Sequence, residues 1–134
     1  MTATRINPDS LYESTGYGFS HAALDERNGV LHLAGQVAWD KDYTLVGGDD
    51  LALQTRQALA NIRVVLDATG SSVAQLLRLR TYIVDHDVAK LQIVGAELAA
   101  FYGDVVPAPN TVVGVQALAL PGFLIEIEAT ATVG

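Results

Sequence analysis

The sequence predicts an α+β fold: a single mixed β-sheet with two helices packed on one face. Three observations predict it. Two segments carry apolar residues at helical spacing on one side only. The segments around them alternate apolar and polar residues or are bounded by turn signals. The order along the chain is strands, helix, strand, helix, strands, which places both helices against one sheet.

Strands come first. Gly18 to Leu24 and Val30 to Ala34 flank Asn28-Gly29, a strong turn pair, and read as a hairpin. A helix follows from about Leu51 to Thr69. Its stripe is Leu51, Thr55, Ala58, Leu59, Ile62, Val65, Leu66 and Thr69. Asp49 or Asp50 can cap its start, and Gly70 can close its end. Leu77 to Val84 is a strand between the two helices. The second helix runs from about Val88 to Tyr102, with Leu91, Val94, Leu98 and Phe101 as its stripe, Asp85 or Asp87 as cap and Gly103 as stop. Thr111 to Leu118 and Phe123 to Val133 flank Pro121-Gly122, a second hairpin candidate. In the last strand Ile125, Ile127, Ala129 and Ala131 share one face, and Glu126, Glu128, Thr130 and Thr132 the other. That second face calls for a cover, and another subunit is the ordinary one.

Residues 1–134 make one domain, since no linker, repeat or low-complexity tract divides them. Half the residues are hydrophobic and 17% are charged, the balance of a globular chain with some apolar surface to spare for an oligomer. The net charge is −7, and the basic residues, Arg56, Arg63, Arg78, Arg80 and Lys90 among them, form no continuous run. Nucleic acid is therefore a disfavoured partner. There is no cysteine, which excludes disulfides, thiolate nucleophiles and Cys-ligated zinc. No segment is long and apolar enough to span a membrane, and Met1 to Ser10 has no signal-peptide pattern, so a cytoplasmic protein is expected.

Chemistry-bearing residues are few. His21, His32 and His86 sit at no metal-ligand spacing, so no metal or other cofactor is expected. His21 reads as a packed, hydrogen-bonded histidine, His32 as the polar face of its strand, His86 as a loop residue. Ser20 and His21 are adjacent on a strand and point to opposite faces, which rules them out as a nucleophile and base pair. Trp39 reads more readily as cover for a sheet edge or an interface than as a pocket wall. Glu126 is the best acid–base candidate, because a carboxylate facing a subunit seam can hold and polarise a water. On the residues alone, the plainer reading is a solvated face, with Glu126 and Glu128 paired to Arg78 or Arg80 across strands.

Several segments, in one order and across nearly the whole chain, resemble the RidA/YjgF family. They are Phe19-Ser20-His21-Ala22; Leu33-Ala34-Gly35-Gln36; Gln54-Thr55-Arg56-Gln57-Ala58-Leu59 with Asn61 and Leu66; Gly70-Ser71; Thr81-Tyr82-Ile83-Val84-Asp85; Phe101-Tyr102 with Pro107; and Ile125-Glu126-Ile127-Glu128-Ala129. The resemblance implies a chorismate-mutase-like fold and a homotrimer with three clefts between subunits. It implies, for the archetypal subgroup, cofactor-free hydrolysis of reactive enamines and imines to keto acids and ammonia. It implies that Glu126 holds the attacking water, and that Gly35, in the Gly-Gln turn, belongs to the substrate site.

The family's Pro-Ala-Arg-Ser/Thr carries an arginine that clamps the substrate carboxylate. Here the chain reads Pro107-Ala108-Pro109-Asn110-Thr111. Alignment on Val113-Gly114-Val115 puts Asn110 at that place, and alignment on Pro107 puts Pro109 there; neither is an arginine. A hydrogen bond to a charged group contributes roughly 1.5–3 kcal/mol, against about 1 kcal/mol between neutral groups. Phe19 stands where a tyrosine is usual and Ala34 where a serine is usual, so the cleft becomes more apolar. The expectation is a small-molecule enzyme whose substrate lacks a critical carboxylate. Glu126 positions water, Asn110 holds the substrate's polar end, and Phe19 and Val112 shape the apolar wall. The alternative is a trimer of the same fold that binds or senses a metabolite without turnover.

Overall fold

A computed structural model of the chain describes residues 3–134. Among these, one sheet contains β1 (Thr4–Ile6), β2 (Ala22–Asp25), β3 (Val30–Gln36), β4 (Leu76–Val84), β5 (Asn110–Val115) and β6 (Ile125–Thr132). Helix α1 (Leu51–Ala68) joins β3 to β4, and α2 (Val88–Tyr102) joins β4 to β5. The spatial order is β1-β2-β3-β6-β4-β5. The sheet is mixed: β4 and β5 run parallel, and the other neighbours run antiparallel.

The helices form where the one-sided stripes place them. Asp50 and Asp87 cap α1 and α2 by accepting from the backbone N–H of Leu53 and Lys90. Gly103 ends α2 at a positive φ of 57°. The α1 stripe from Leu51 to Leu66 is buried throughout. It packs on the sheet face made by Leu31 and Leu33 of β3, Leu79 and Ile83 of β4, and Ile125 and Ile127 of β6. Each of these large apolar side chains contributes about 1.5–3 kcal/mol by leaving water. In α2 only Val94 and Tyr102 are buried, with Leu98 and Phe101 packed against the core; Leu91, expected in the stripe, is exposed instead. That helix leans on α1, so its own apolar contact with the core is narrow.

The first hairpin forms as read: β2 and β3 pair antiparallel, Gly29 sits at a φ of 65°, and Asp25 accepts from the Asn28 amide and side chain. The second does not. Pro121-Gly122 closes no hairpin, because β4 lies between β5 and β6. The α2 crossover returns β5 parallel to β4 and leaves it on the outer edge. The central position then falls to β6, whose Ile125, Ile127, Ala129 and Ala131 are all buried. Strand β1 has no counterpart in the sequence pattern; three residues carry no period, and its pairing with β2 alone defines it.

Candidate functional site

The face of the sheet away from the helices carries Glu126 and Glu128 of β6, Arg78, Arg80 and Tyr82 of β4, and His32 of β3. Glu128 is already engaged, since Tyr82 donates its hydroxyl to Glu128 Oε1. Glu126 is not: neither of the two ion pairs among the described residues involves it. It is half-buried, and burial pushes its pKa above the ordinary carboxylate value, with the Glu128 charge adding to the rise.

What gives Glu126 its place is a bulge in β3. The β3–β6 register shifts between Leu33 and Gln36, so Ala34 and Gly35 leave the regular ladder. Gly35 lets the carboxylate lie directly across the backbone. A Cβ at Gly35 would stand 2.7 Å from Cδ and 2.8 Å from Cγ of Glu126, with Oε2 closer still. No side chain larger than hydrogen fits there while Glu126 keeps its conformation.

Above this floor opens a cleft of about 470 Å³. Tyr12, Tyr17, Phe19, Trp39 and Phe123 line it with aromatic rings, and Leu120 closes one side. Trp39 is the hub: its ring lies 5.2 Å from those of Tyr12 and Phe123, near perpendicular to both, and 6.0 Å from Tyr17. It is therefore a pocket wall, not merely edge cover. Its backbone is fixed from α1, where Asn61 Nδ2 donates to the carbonyls of Val37 at 3.1 Å and Trp39 at 3.0 Å. The Tyr12 hydroxyl is pushed up to about 12 by burial and by the Glu126 charge, so it keeps its proton at neutral pH.

Behind the cleft wall, His21 is 1% exposed. Its Nδ1 accepts from Gln36 Nε2 at 2.9 Å, and its Nε2 donates to the Tyr12 carbonyl at 2.8 Å. It is the packed histidine that the sequence indicates, and it locks the backbone of Tyr12. Burial holds its pKa below the ordinary imidazole value. The stabilisation from a neutral His21 is complete above the unfolded value of about 6.5 and is lost as pH falls toward the folded one. Urea unfolding is expected to show a lower midpoint at pH 5 than at pH 7. His21→Gln, with no proton to take up, should flatten that part of the profile; an unchanged slope would assign the acid loss to other groups.

Of the residues singled out from the sequence, Phe19, Gly35 and Glu126 line this one cleft. Asn110 and Val112 do not. They lie on edge strand β5, on the helix side of the sheet: Asn110 Oδ1 accepts from Thr81 Oγ1 at 3.1 Å, and Val112 packs against the core. Two strand positions and a change of face separate them from Glu126 within one chain. Tyr12, Tyr17, Leu120 and Phe123 also line the cleft, and sequence reasoning misses them. Loop aromatics carry no periodic signal, and only the turn glycines beside Tyr17 and Phe123 mark those segments.

A one-sheet, two-helix fold with a carboxylate set under an aromatic cleft marks a candidate small-molecule site on an α+β scaffold. The sequence profile of the endoribonuclease L-PSP family matches residues 13–133, and the chain belongs to that family, whose members also carry the names Rid and YjgF/YER057c/UK114. RutC family protein PH0854 of Pyrococcus horikoshii is 38% identical over 103 residues, 75% of this chain and 77% of that protein. The Rid family protein YyfB of Yersinia pestis, described as of unknown function, is 50% identical with a TM-score of 0.77, covering 99% of this chain and 100% of its own. Its relative YyfA, described in the same words, is 28% identical with a TM-score of 0.88, covering 98% and 100%.

Proposed function

We propose that the protein is a cofactor-free hydrolase of the deaminase type, acting on an imine, enamine or related small carbonyl compound. The observation that carries this reading is the unpaired, half-buried Glu126 carboxylate laid over Gly35 at the base of an apolar cleft. A carboxylate held above its ordinary pKa is suited to take a proton from water and return it. Water adds to the imine carbon and gives a proton to Glu126. Glu126 passes that proton to nitrogen to give the neutral carbinolamine, then moves the carbinol O–H proton to the same nitrogen as the carbonyl forms, the C–N bond breaks, and a carbonyl compound and ammonia leave.

The same reading makes the working unit a homotrimer. The polar face and the exposed edge of β5 support it, since both leave surface for another subunit. Asn110 and Val112 would then reach a cleft only as the contribution of a second copy. The family's descriptive name raises ribonuclease activity as well. The cleft offers RNA a carboxylate and no lining cation among the described residues, on a chain of net charge −7, and that electrostatics opposes it.

The test is hydrolysis of freshly generated 2-iminopropionate and of a larger apolar imine without a carboxylate, on native protein and on Asn110→Arg. The native protein is expected to release ammonia from the apolar imine and to be slow on 2-iminopropionate, with Asn110→Arg improving the latter. If neither protein turns over any imine, the deaminase reading fails and a binding or sensing trimer takes its place.

A further inference from the structure

The cleft has a charge character that the hydrolase reading does not by itself require. Within one chain its one charged lining residue among those described is Glu126, and no arginine, lysine or histidine lines it; Asn110 and Val112, which a second copy would bring, add no charge. An anionic ligand would meet an uncompensated carboxylate in a desolvated place, which is strongly unfavourable. A cation would meet three favourable features. The carboxylate is without an ion-pair partner among the described residues. The rings of Tyr12 and Phe123 stand nearly perpendicular to that of Trp39, with Tyr17 alongside at 6.0 Å, so they enclose a corner as walls do. Aromatic faces attract organic cations, most strongly where water is excluded. The field of a chain at −7 adds long-range attraction of the same sign.

We infer that the ligand of this cleft is an apolar organic cation: an iminium or ammonium group carrying an aryl or branched-alkyl body and no carboxylate. The inference rests on the cleft being the substrate site, and it narrows that site's substrate class. In the hydrolytic case the reacting species is the iminium. One water adds its oxygen to the iminium carbon, the carbon–nitrogen bond breaks, and both water protons end on nitrogen. A neutral ketone or aldehyde and one ammonium ion result, so atoms and charge balance with no oxidant or reductant. The cationic carbon is the better electrophile, and its nitrogen sits opposite Glu126. The neutral carbonyl product loses the attraction to both carboxylate and rings, so product leaves more readily than substrate.

Trp39 is the only tryptophan and lines the cleft, so its fluorescence reports occupancy directly. Native protein would be titrated with benzyltrimethylammonium, with neutral benzyl alcohol and with anionic phenylacetate at fixed ionic strength. The cation is expected to bind about tenfold or more tighter than the alcohol, and phenylacetate to show no saturable change. Glu126→Gln should weaken the cation while leaving the alcohol unchanged. Tyr17→Leu, at a ring that is 62% exposed and carries little of the fold, should also weaken the cation selectively. Equal binding of cation and alcohol, or saturable binding of phenylacetate, would overturn the inference. Neither result touches the hydrolase reading, which is decided by ammonia release. Cation binding without turnover of any imine would remove the hydrolase reading and leave this one standing.

Discussion

Replacing Gly35 by alanine is expected to remove turnover as fully as Glu126→Gln does, although Gly35 has no side chain to contribute. The added Cβ would occupy the space of Glu126 Cδ and Cγ, so the carboxylate must swing away from the cleft floor. The backbone itself tolerates alanine, since Gly35 does not lie in the left-handed region. General acid–base catalysis contributes about 10²–10⁴-fold, and both variants should lose imine turnover on that scale. The overpacking of Gly35→Ala costs about 1 kcal/mol, because Glu126 can turn toward the open cleft. Steady-state ammonia release beside a urea titration separates the two effects. Native turnover in Gly35→Ala would mean that the position of the carboxylate over the bulge is irrelevant to chemistry. The pH profile should agree. Burial raises the pKa of Glu126 above 4.5, so activity should fall on acidification at a pH above that value. In Glu126→Gln that limb should vanish.

The second large effect is expected at Gln54, a buried glutamine on α1 that binds only backbone. Its Nε2 donates to the carbonyls of Gly48 and Gly122, and its Oε1 accepts from the Leu124 N–H. One side chain thus pins the turn that precedes α1 to the turn that precedes β6. Gln54→Leu keeps the size and leaves three polar groups without a partner, each worth about 1–3 kcal/mol where water cannot replace it. We expect a loss of about 3 kcal/mol and a melting point lower by about 10 °C. The exposed Gln92→Leu should stay within about 0.5 kcal/mol of native. Because the pinned segment carries Leu120 and Phe123 of the cleft, KM should also rise. A Gln54→Leu protein with native stability would show that solvent satisfies these groups.

How much of the molecule is legible in the sequence follows from what carries a period. Helix α2 is readable to its first and last residues, because Asp87 and Gly103 are local signals that act where they stand. The face of β6 is readable because alternation survives even when the neighbours are unknown. Pairing is different. Thr111 to Leu118 and Phe123 to Val133 look like a hairpin because they are adjacent in sequence, yet β4 separates them; nothing in either segment encodes the strand between. In the same way the resemblance singles out Asn110, but the side of the sheet it faces depends on its register with Leu79 and Thr81, which only the pairing sets. Glu126 and Gly35 lie far apart along the chain and meet through one irregular rung, a contact that the Ile-Glu-Ile-Glu and Gly-Gln patterns hint at separately and cannot join.

The strand order has a consequence for how the chain comes to be folded. β6 holds β3 on one side and β4 on the other, so the piece that welds the N-terminal half of the sheet to the C-terminal half is the last of the six strands to be synthesised. Until it emerges, β3 and β4 each lack the neighbour that β6 supplies, so each has an inner edge unpaired in addition to the outer edges of β1 and β5. Contacts of this span in sequence make folding slow relative to helical proteins of the same size. An edge suited to β6 is open to any other strand for as long as β6 is absent from it.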